Sequence, residues 1–91
     1  MTAADSAMEA IVIGIGCGRC RRLARMTREA LAQLGRDNVV VRTADDLNEI
    51  VGFGPLVTPA LIFGGTLLVS GRLPSQRHLT HLIQGELRRQ E

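Results

Sequence analysis

The order in which the hydrophobic period changes along the chain constrains its fold more than any other feature. Met8-Glu9-Ala10-Ile11-Val12-Ile13-Gly14 is short, rich in β-branched residues and stopped by glycine, as a buried strand should be. After the turn Ile15-Gly16-Cys17-Gly18-Arg19 the period lengthens. Leu23, Met26, Ala30, Leu31 and Leu34 recur at helical spacing, Arg21, Arg22, Arg25 and Arg28 take the other positions, and Gly35 stands where a helix C-cap glycine belongs. Asn38-Val39-Val40-Val41-Arg42-Thr43 is a second β-branched run. Strand, helix and strand in that order imply a parallel pair, because a crossover of helical length returns the chain to the edge from which it started.

The second half of the chain switches to another connection. Asp45 or Asp46 can cap a short helix through Leu47, Ile50 and Val51, ended by the breaker Gly52-Phe53-Gly54-Pro55. Pro59-Ala60-Leu61-Ile62-Phe63 and Thr66-Leu67-Leu68-Val69-Ser70 flank Gly64-Gly65, a dipeptide that suits the two-residue turn of an antiparallel hairpin. Pro74-Ser75 opens a last helix that points Leu79, Leu82, Ile83 and Leu87 inward. The order is β-α-β-α-β-β-α, an α/β fold. One mixed four-stranded sheet with helices on both faces uses every apolar stripe. With 91 residues, no internal repeat and no low-complexity block, the chain reads as a loose leader over 1–7 and a single domain over 8–91.

Composition narrows the function classes. The chain is 45% hydrophobic and 22% charged, with two Phe and neither Trp nor Tyr, so its core is aliphatic and it is not a disordered tail. All 11 basic residues are arginine; against nine acidic residues they leave a net charge of +2, which by itself does not argue for a nucleic-acid partner. The first seven residues have neither the basic start nor the apolar run of a secretory signal. Leu56 to Val69, the most apolar stretch, is too short to span a bilayer and is interrupted by Pro59 and Gly64-Gly65. The expectation is a soluble, cytoplasmic monomer with no membrane partner.

The two cysteines carry the chemistry. Cys17 and Cys20 are too close together to staple a fold, since so short a loop constrains almost nothing. They lie instead where the first strand meets the first helix, with Cys17 as its cap or first residue. Positions three apart share a helix side, so the sulfurs can close a small disulfide ring. Unpaired N–H groups, the positive end of the helix dipole and the nearby Arg19, Arg21 and Arg22 all favour the thiolate of Cys17, which is the form that attacks a disulfide. Glycine-flanked cysteines at a turn are poor core material, which sets inert buried thiols behind a redox pair. Reduced Cys-x-x-Cys is also a natural bidentate ligand for a soft metal or metalloid ion, and that reading stays beside the redox one. Adding His78 and His81 to make a zinc site stretches the separation far beyond finger spacing, and the two histidines read as a solvated helix face. A dinucleotide reading of Gly14-x-Gly16 fails at the third glycine, where Arg19 stands. The arginines of the first helix, without interleaved aromatics, read as a solvated face or a docking surface ahead of a phosphate-binding patch.

With the pair placed, the chain resembles the thioredoxin and glutaredoxin superfamily, and more closely the small redox-active disulfide proteins of archaea and bacteria. The carrying segments are Ile13-Gly14-Ile15-Gly16-Cys17-Gly18-Arg19-Cys20, Asp46-Leu47-Asn48-Glu49-Ile50, Val57-Thr58-Pro59-Ala60-Leu61-Ile62 and Leu68-Val69-Ser70-Gly71-Arg72-Leu73-Pro74-Ser75. The resemblance implies a thioredoxin-like fold and thiol–disulfide oxidoreductase activity in electron transfer and redox homeostasis, with no cofactor. It implies that Cys17 attacks and Cys20 resolves, through a mixed disulfide with a protein or small-molecule partner, and that a separate reductase restores the pair. It also implies that Pro59 is cis and lies beside the cysteines, and that Thr58, Pro59, Gly18 and Arg19 contact the substrate, Thr58 through its backbone. The chain departs from the thioredoxin pattern in three places. Gly16 stands where tryptophan precedes the pair, Gly18-Arg19 replaces a dipeptide containing proline, and no carboxylate occurs in Ile11-Val12-Ile13. Nor does Gly71-Arg72-Leu73-Pro74-Ser75 offer the glycine pair and acid with which glutaredoxins hold glutathione.

Overall fold

The computed structural model describes residues 9–14, 18–36 and 38–90. The expected leader over 1–7, and Cys17 with its neighbours Ile15 and Gly16, lie outside the described residues. The elements are β1 (Glu9–Ile13), α1 (Gly18–Gln33), β2 (Val40–Ala44), α2 (Leu47–Gly52), β3 (Ala60–Phe63), β4 (Thr66–Ser70) and α3 (Gln76–Arg89). They form one four-stranded sheet in the order β2-β1-β3-β4. β1 and β2 are parallel, with Ile11 opposite Arg42; β3 runs antiparallel to both β1 and β4, with Ile11 opposite Ile62 and Phe63 opposite Thr66. The mixed sheet and the element order are those expected from the sequence.

Local chemistry accounts for the ends of the elements. α1 closes in a Schellman motif: Arg36 N–H donates to Leu31 C=O at 2.8 Å, Gly35 N–H donates to Ala32 C=O at 3.1 Å, and Gly35 takes φ +70°. Asp46 is the N-cap of α2, accepting from Asn48 N–H at 2.9 Å, and Ser75 caps α3 by accepting from His78 N–H at 3.1 Å. Gly64 and Gly65, at φ +56° and +89°, make the tight turn between β3 and β4. Leu61 pairs with Val69 and Ile62 with Leu67, so Leu68 is the extra residue of a bulge.

Alternation along the strands divides the core into two unequal parts. Ala10, Val12, Leu61 and Phe63 face Leu23, Ala24, Ala30 and Leu31 of α1 and Leu79, Ile83 and Leu87 of α3. Ile11, Ile13, Ala44 and Ala60 face the other way, toward Ile50, Phe53 and Leu56. Helices therefore cover both faces, but α2 is a six-residue cover with no fully buried residue. Leu47 and Val51, read from the sequence as parts of its apolar stripe, are 62% and 69% exposed. So short a helix lays only one residue, Ile50, against the sheet. On that side Arg42 bridges Glu9 and Glu49 at 3.2 and 2.8 Å, tying β2 to β1 and α2 at a half-exposed position. No described helix is long and apolar enough to cross a membrane.

Candidate functional site

The site forms where β1 ends. Ile13 is the last residue of β1, and Gly14 N–H extends the ladder by donating to Ala44 C=O at 3.1 Å. From there the chain enters α1, whose third residue is Cys20. Only 6% of Cys20 is exposed, and its Sγ lies 4.0 Å from the carbonyl oxygen of Ile13. The sequence suggested that cysteines at this turn make poor core material. Cys20 corrects that expectation, since its sulfur is part of the larger core cluster.

Gly14 makes the burial possible. A Cβ on Gly14 would overlap the Cys20 Sγ, lie 3.1 Å from its Cβ and approach the Thr58 Cβ to 3.9 Å. Glycine is required here for space, because the sulfur occupies the volume a side chain would take. The same distances show that Gly14, Cys20 and Thr58 converge.

Thr58 belongs to the loop that leads into β3, and the Thr58–Pro59 peptide bond is cis. Pro59 is buried and Thr58 exposed. The loop is tied to the end of β4: Gly71 N–H donates to Pro59 C=O at 2.9 Å, and the Ser70 hydroxyl meets both the N–H and the C=O of Val57 at 3.4 Å. Gly71 has φ +79°, and a Cβ there would lie 2.8 Å from Val57 Cγ1. Among the described residues nothing hydrogen-bonds to the backbone N–H or C=O of Thr58. Val57, beside it, is 63% exposed.

Of the residues singled out from the sequence, Cys20, Thr58 and Pro59 thus meet at one end of the sheet. Gly18 and Arg19 are exposed at the start of α1, and Cys17 lies outside the described residues. His78 and His81 are exposed on α3, and among the described residues no three His, Cys, Asp or Glu side chains converge as metal ligands. Sequence reasoning did not find the roles of Gly14, Ser70 and Gly71. It also missed Glu86, which is 5% exposed at the far end of α3. Glu86 accepts from Thr66 Oγ1 at 2.8 Å, from Arg89 Nε and Nη2 at 3.1 and 2.8 Å, and from Gln90 Nε2 at 2.7 Å. The bonds from Arg89 and Gln90 hold its carboxyl down at about 2. A signal for it exists: at 100° per residue Glu86 falls between Leu82 and Leu79, in the middle of the apolar arc of α3.

A helix entered from a parallel strand with a buried cysteine in its first turn, faced by a cis-proline loop on the neighbouring antiparallel strand, is the architecture of thioredoxin-type domains. The chain belongs to the thioredoxin domain family, whose pattern it matches over residues 8–84. That family is associated with thiol–disulfide oxidoreductase chemistry. Two archaeal proteins named thioredoxin are similar to it, each 28% identical over 76 residues, or 84% of this chain. The one from Methanocaldococcus jannaschii is covered over 86% of its length and the one from Methanothermobacter thermautotrophicus over 97%.

Proposed function

We propose that the protein is a thiol–disulfide oxidoreductase in which Cys17 attacks and Cys20 resolves, acting as a cytoplasmic monomer without a cofactor. The observation that carries this reading is the meeting of a recessed sulfur with an exposed backbone that no described residue hydrogen-bonds: Cys20 against Gly14, and Thr58 on the same margin. An extended partner segment can pair with the N–H and C=O of Thr58 as one added strand, which presents its disulfide to the start of α1. Gly18 and Arg19, exposed in the first turn, flank that approach.

The exchange proceeds in two displacements. The Cys17 thiolate attacks one partner sulfur, the partner S–S bond breaks, and the departing thiolate takes a proton from solvent. The Cys20 thiol then gives up its proton and attacks Cys17 Sγ, expelling the second partner sulfur as a thiolate. The partner gains two electrons and the pair becomes a disulfide. Turnover requires a separate dithiol reductant. Burial of Cys20 suits a resolving role, because a recessed sulfur meets Cys17 more readily than it meets bulk reagents.

A Cys20→Ser variant tests the mechanism. Incubated with a disulfide-bonded probe peptide, it accumulates a mixed disulfide through Cys17, identified by intact mass and peptide mapping. Absence of that adduct overturns the mechanism. A stoichiometric soft metal ion in anaerobically purified protein, lost on Cys17→Ser, replaces this reading with an ion-binding module.

A further inference from the structure

Helix α1 carries charges that work against it. A helix is stabilised by acids in its first turn and bases in its last, yet α1 has neither. Arg19, Arg21, Arg22, Arg25 and Arg28 instead take five of its first eleven positions, and all five arginines are exposed. At 100° per residue, Arg21, Arg22, Arg25 and Arg28 fall within an arc of about 120°. This arc is opposite the buried face of Leu23, Thr27, Ala30 and Leu31. The pairs Arg21–Arg25, Arg22–Arg25 and Arg25–Arg28 put like charges at the spacings where helical side chains repel.

This stripe holds no ion pair among the described residues. Among the described residues no carboxylate pairs with any of the five arginines, whereas Arg42 and Arg89 each sit on a glutamate. Glu29, the next acid along the helix, accepts from Gln33. Gly18, Arg21, Arg22 and Arg25 line an open groove of about 370 Å³, and beside Gly18 the space is clear. The groove begins in the turn that holds Cys20.

We propose that this stripe is a docking surface for an acidic segment of the partner protein whose disulfide is exchanged; the proposal rests on the exchange reading above. Guanidinium groups match carboxylates in a two-point geometry, and the chain uses arginine for every one of its basic residues. Arg21 to Arg28 span about 10 Å of helix, the reach of about three extended residues. The occupant is therefore a short run of two or three carboxylates next to the partner cysteines. A single-stranded nucleic acid fits less well, because it needs aromatic platforms. The two phenylalanines offer none: Phe63 is buried, and Phe53 packs on the face of the sheet opposite α1.

Two measurements on the full chain test the proposal. In the first, a cysteine-free Asp/Glu octapeptide is titrated against the oxidised protein, beside a neutral Gly/Ser octapeptide and a DNA duplex of matched charge. The acidic peptide is expected to bind in preference to both, about tenfold more weakly at ~200 mM than at ~20 mM salt. Its affinity should fall several-fold in the Arg25→Gln/Arg28→Gln variant. That variant loses repulsion within α1, so its thermal stability is expected to equal or exceed that of the parent. Absence of binding, binding indifferent to the substitutions, or tighter binding of the duplex overturns the proposal. In the second, exchange rates are compared for disulfide peptides with acidic or neutral flanks. An acidic-to-neutral ratio of roughly 10 at low salt supports docking, and a ratio of one overturns it. Failure of exchange with both probes, beside intact binding of the acidic peptide, strikes the exchange reading alone.

Discussion

At the Phe63 end of β3 a buried carboxylate gathers four hydrogen bonds, whereas at the Ala60 end a buried sulfur is admitted by the absence of a side chain. Both ends bring an atom of α1 or α3 against the margin of the same sheet, Cys20 at the end of β1 and Glu86 beside β4. At the first, Thr66, Arg89 and Gln90 converge on Glu86, and Gln90 Nε2 also donates to Gly64 C=O at 2.9 Å, so the last turn of α3 is stitched to the hairpin. At the second, Cys20 lies against Gly14 and Ile13, and no described residue hydrogen-bonds to the neighbouring Thr58 backbone. Among the described residues the buried acid is Glu86, at the end of the sheet opposite Cys20. The difference separates anchoring from chemistry. On the exchange reading proposed above, the end that stays shut is the one saturated with bonds. The end that would admit a partner is the one whose loop backbone no described residue hydrogen-bonds at Thr58.

The largest effect is expected from Gly14→Ala. Its methyl group overlaps the Cys20 Sγ, and neither the end of a central strand nor the first turn of α1 can yield cheaply. A loss of about 3 kcal/mol is expected by urea denaturation, at the upper end of what overpacking costs. Gly14→Ala/Cys20→Ala removes the sulfur and leaves only the 3.1 Å approach to Cβ, so it recovers part of that loss. Coupling of more than about 1 kcal/mol in the double-mutant cycle is the signature of direct contact. Additive losses would dissolve the contrast between the two ends, because the glycine would then serve only the backbone.

Next comes Glu86→Ala, which strands the donors of Thr66, Arg89 and Gln90. Charged hydrogen bonds at a buried acceptor make the expected loss about 2 kcal/mol, and Glu86→Gln, which keeps the shape, loses less. The pH dependence has a definite sign. The carboxyl is held at about 2 in the fold and titrates in the ordinary range near 4.5 when unfolded, so its contribution is complete above that range. It fades as pH falls from about 5 toward 2, and Glu86→Gln is expected to show a shallower loss of stability over that window. An unchanged acid profile in the variant means the network does not hold the turn.

How much of this contrast could be read from the chain depends on how local each cause is. The strands, the hairpin at Gly64-Gly65, the α1 stop at Gly35 and the Ser75 cap all follow from residues within one turn of each other, and each stands close to where the sequence put it. β2 runs over Val40–Ala44 instead of starting at Asn38, because its register against Glu9–Ile13 decides its ends. Burial of Cys20 was not legible, since it depends on a glycine six residues earlier meeting the helix across a turn. Glu86 was half legible: its place in the apolar arc of α3 is a local fact, but its partner Thr66 lies 20 residues away. The cis-proline loop came from family resemblance alone, as no periodicity bears on a peptide isomer. Its ties to Ser70 and Gly71 depend on where β4 ends.

Those ties supply the two smaller tests. Gly71→Ala forces a side chain into φ +79° and toward Val57 Cγ1, but Val57 is exposed and can swing aside. A loss of about 1 kcal/mol is expected, mostly from the backbone. It should be accompanied by slower exchange, because the Gly71 N–H holds the Pro59 carbonyl.

Ser70→Ala is the mildest. Its hydroxyl meets Val57 N–H and C=O at 3.4 Å, the long limit of a hydrogen bond, at an exposed position where water can replace it. The expected change in stability is below about 0.5 kcal/mol. If the open end of the sheet works by keeping its backbone available, removing so weak a tie should also leave the exchange rate within about twofold of the parent, a difference of about 0.4 kcal/mol. A tenfold fall in rate at unchanged stability would assign the serine a positioning role. The loop at the site end would then be held as deliberately as the hairpin is held by Glu86, and the division between a closed and an open margin would fail.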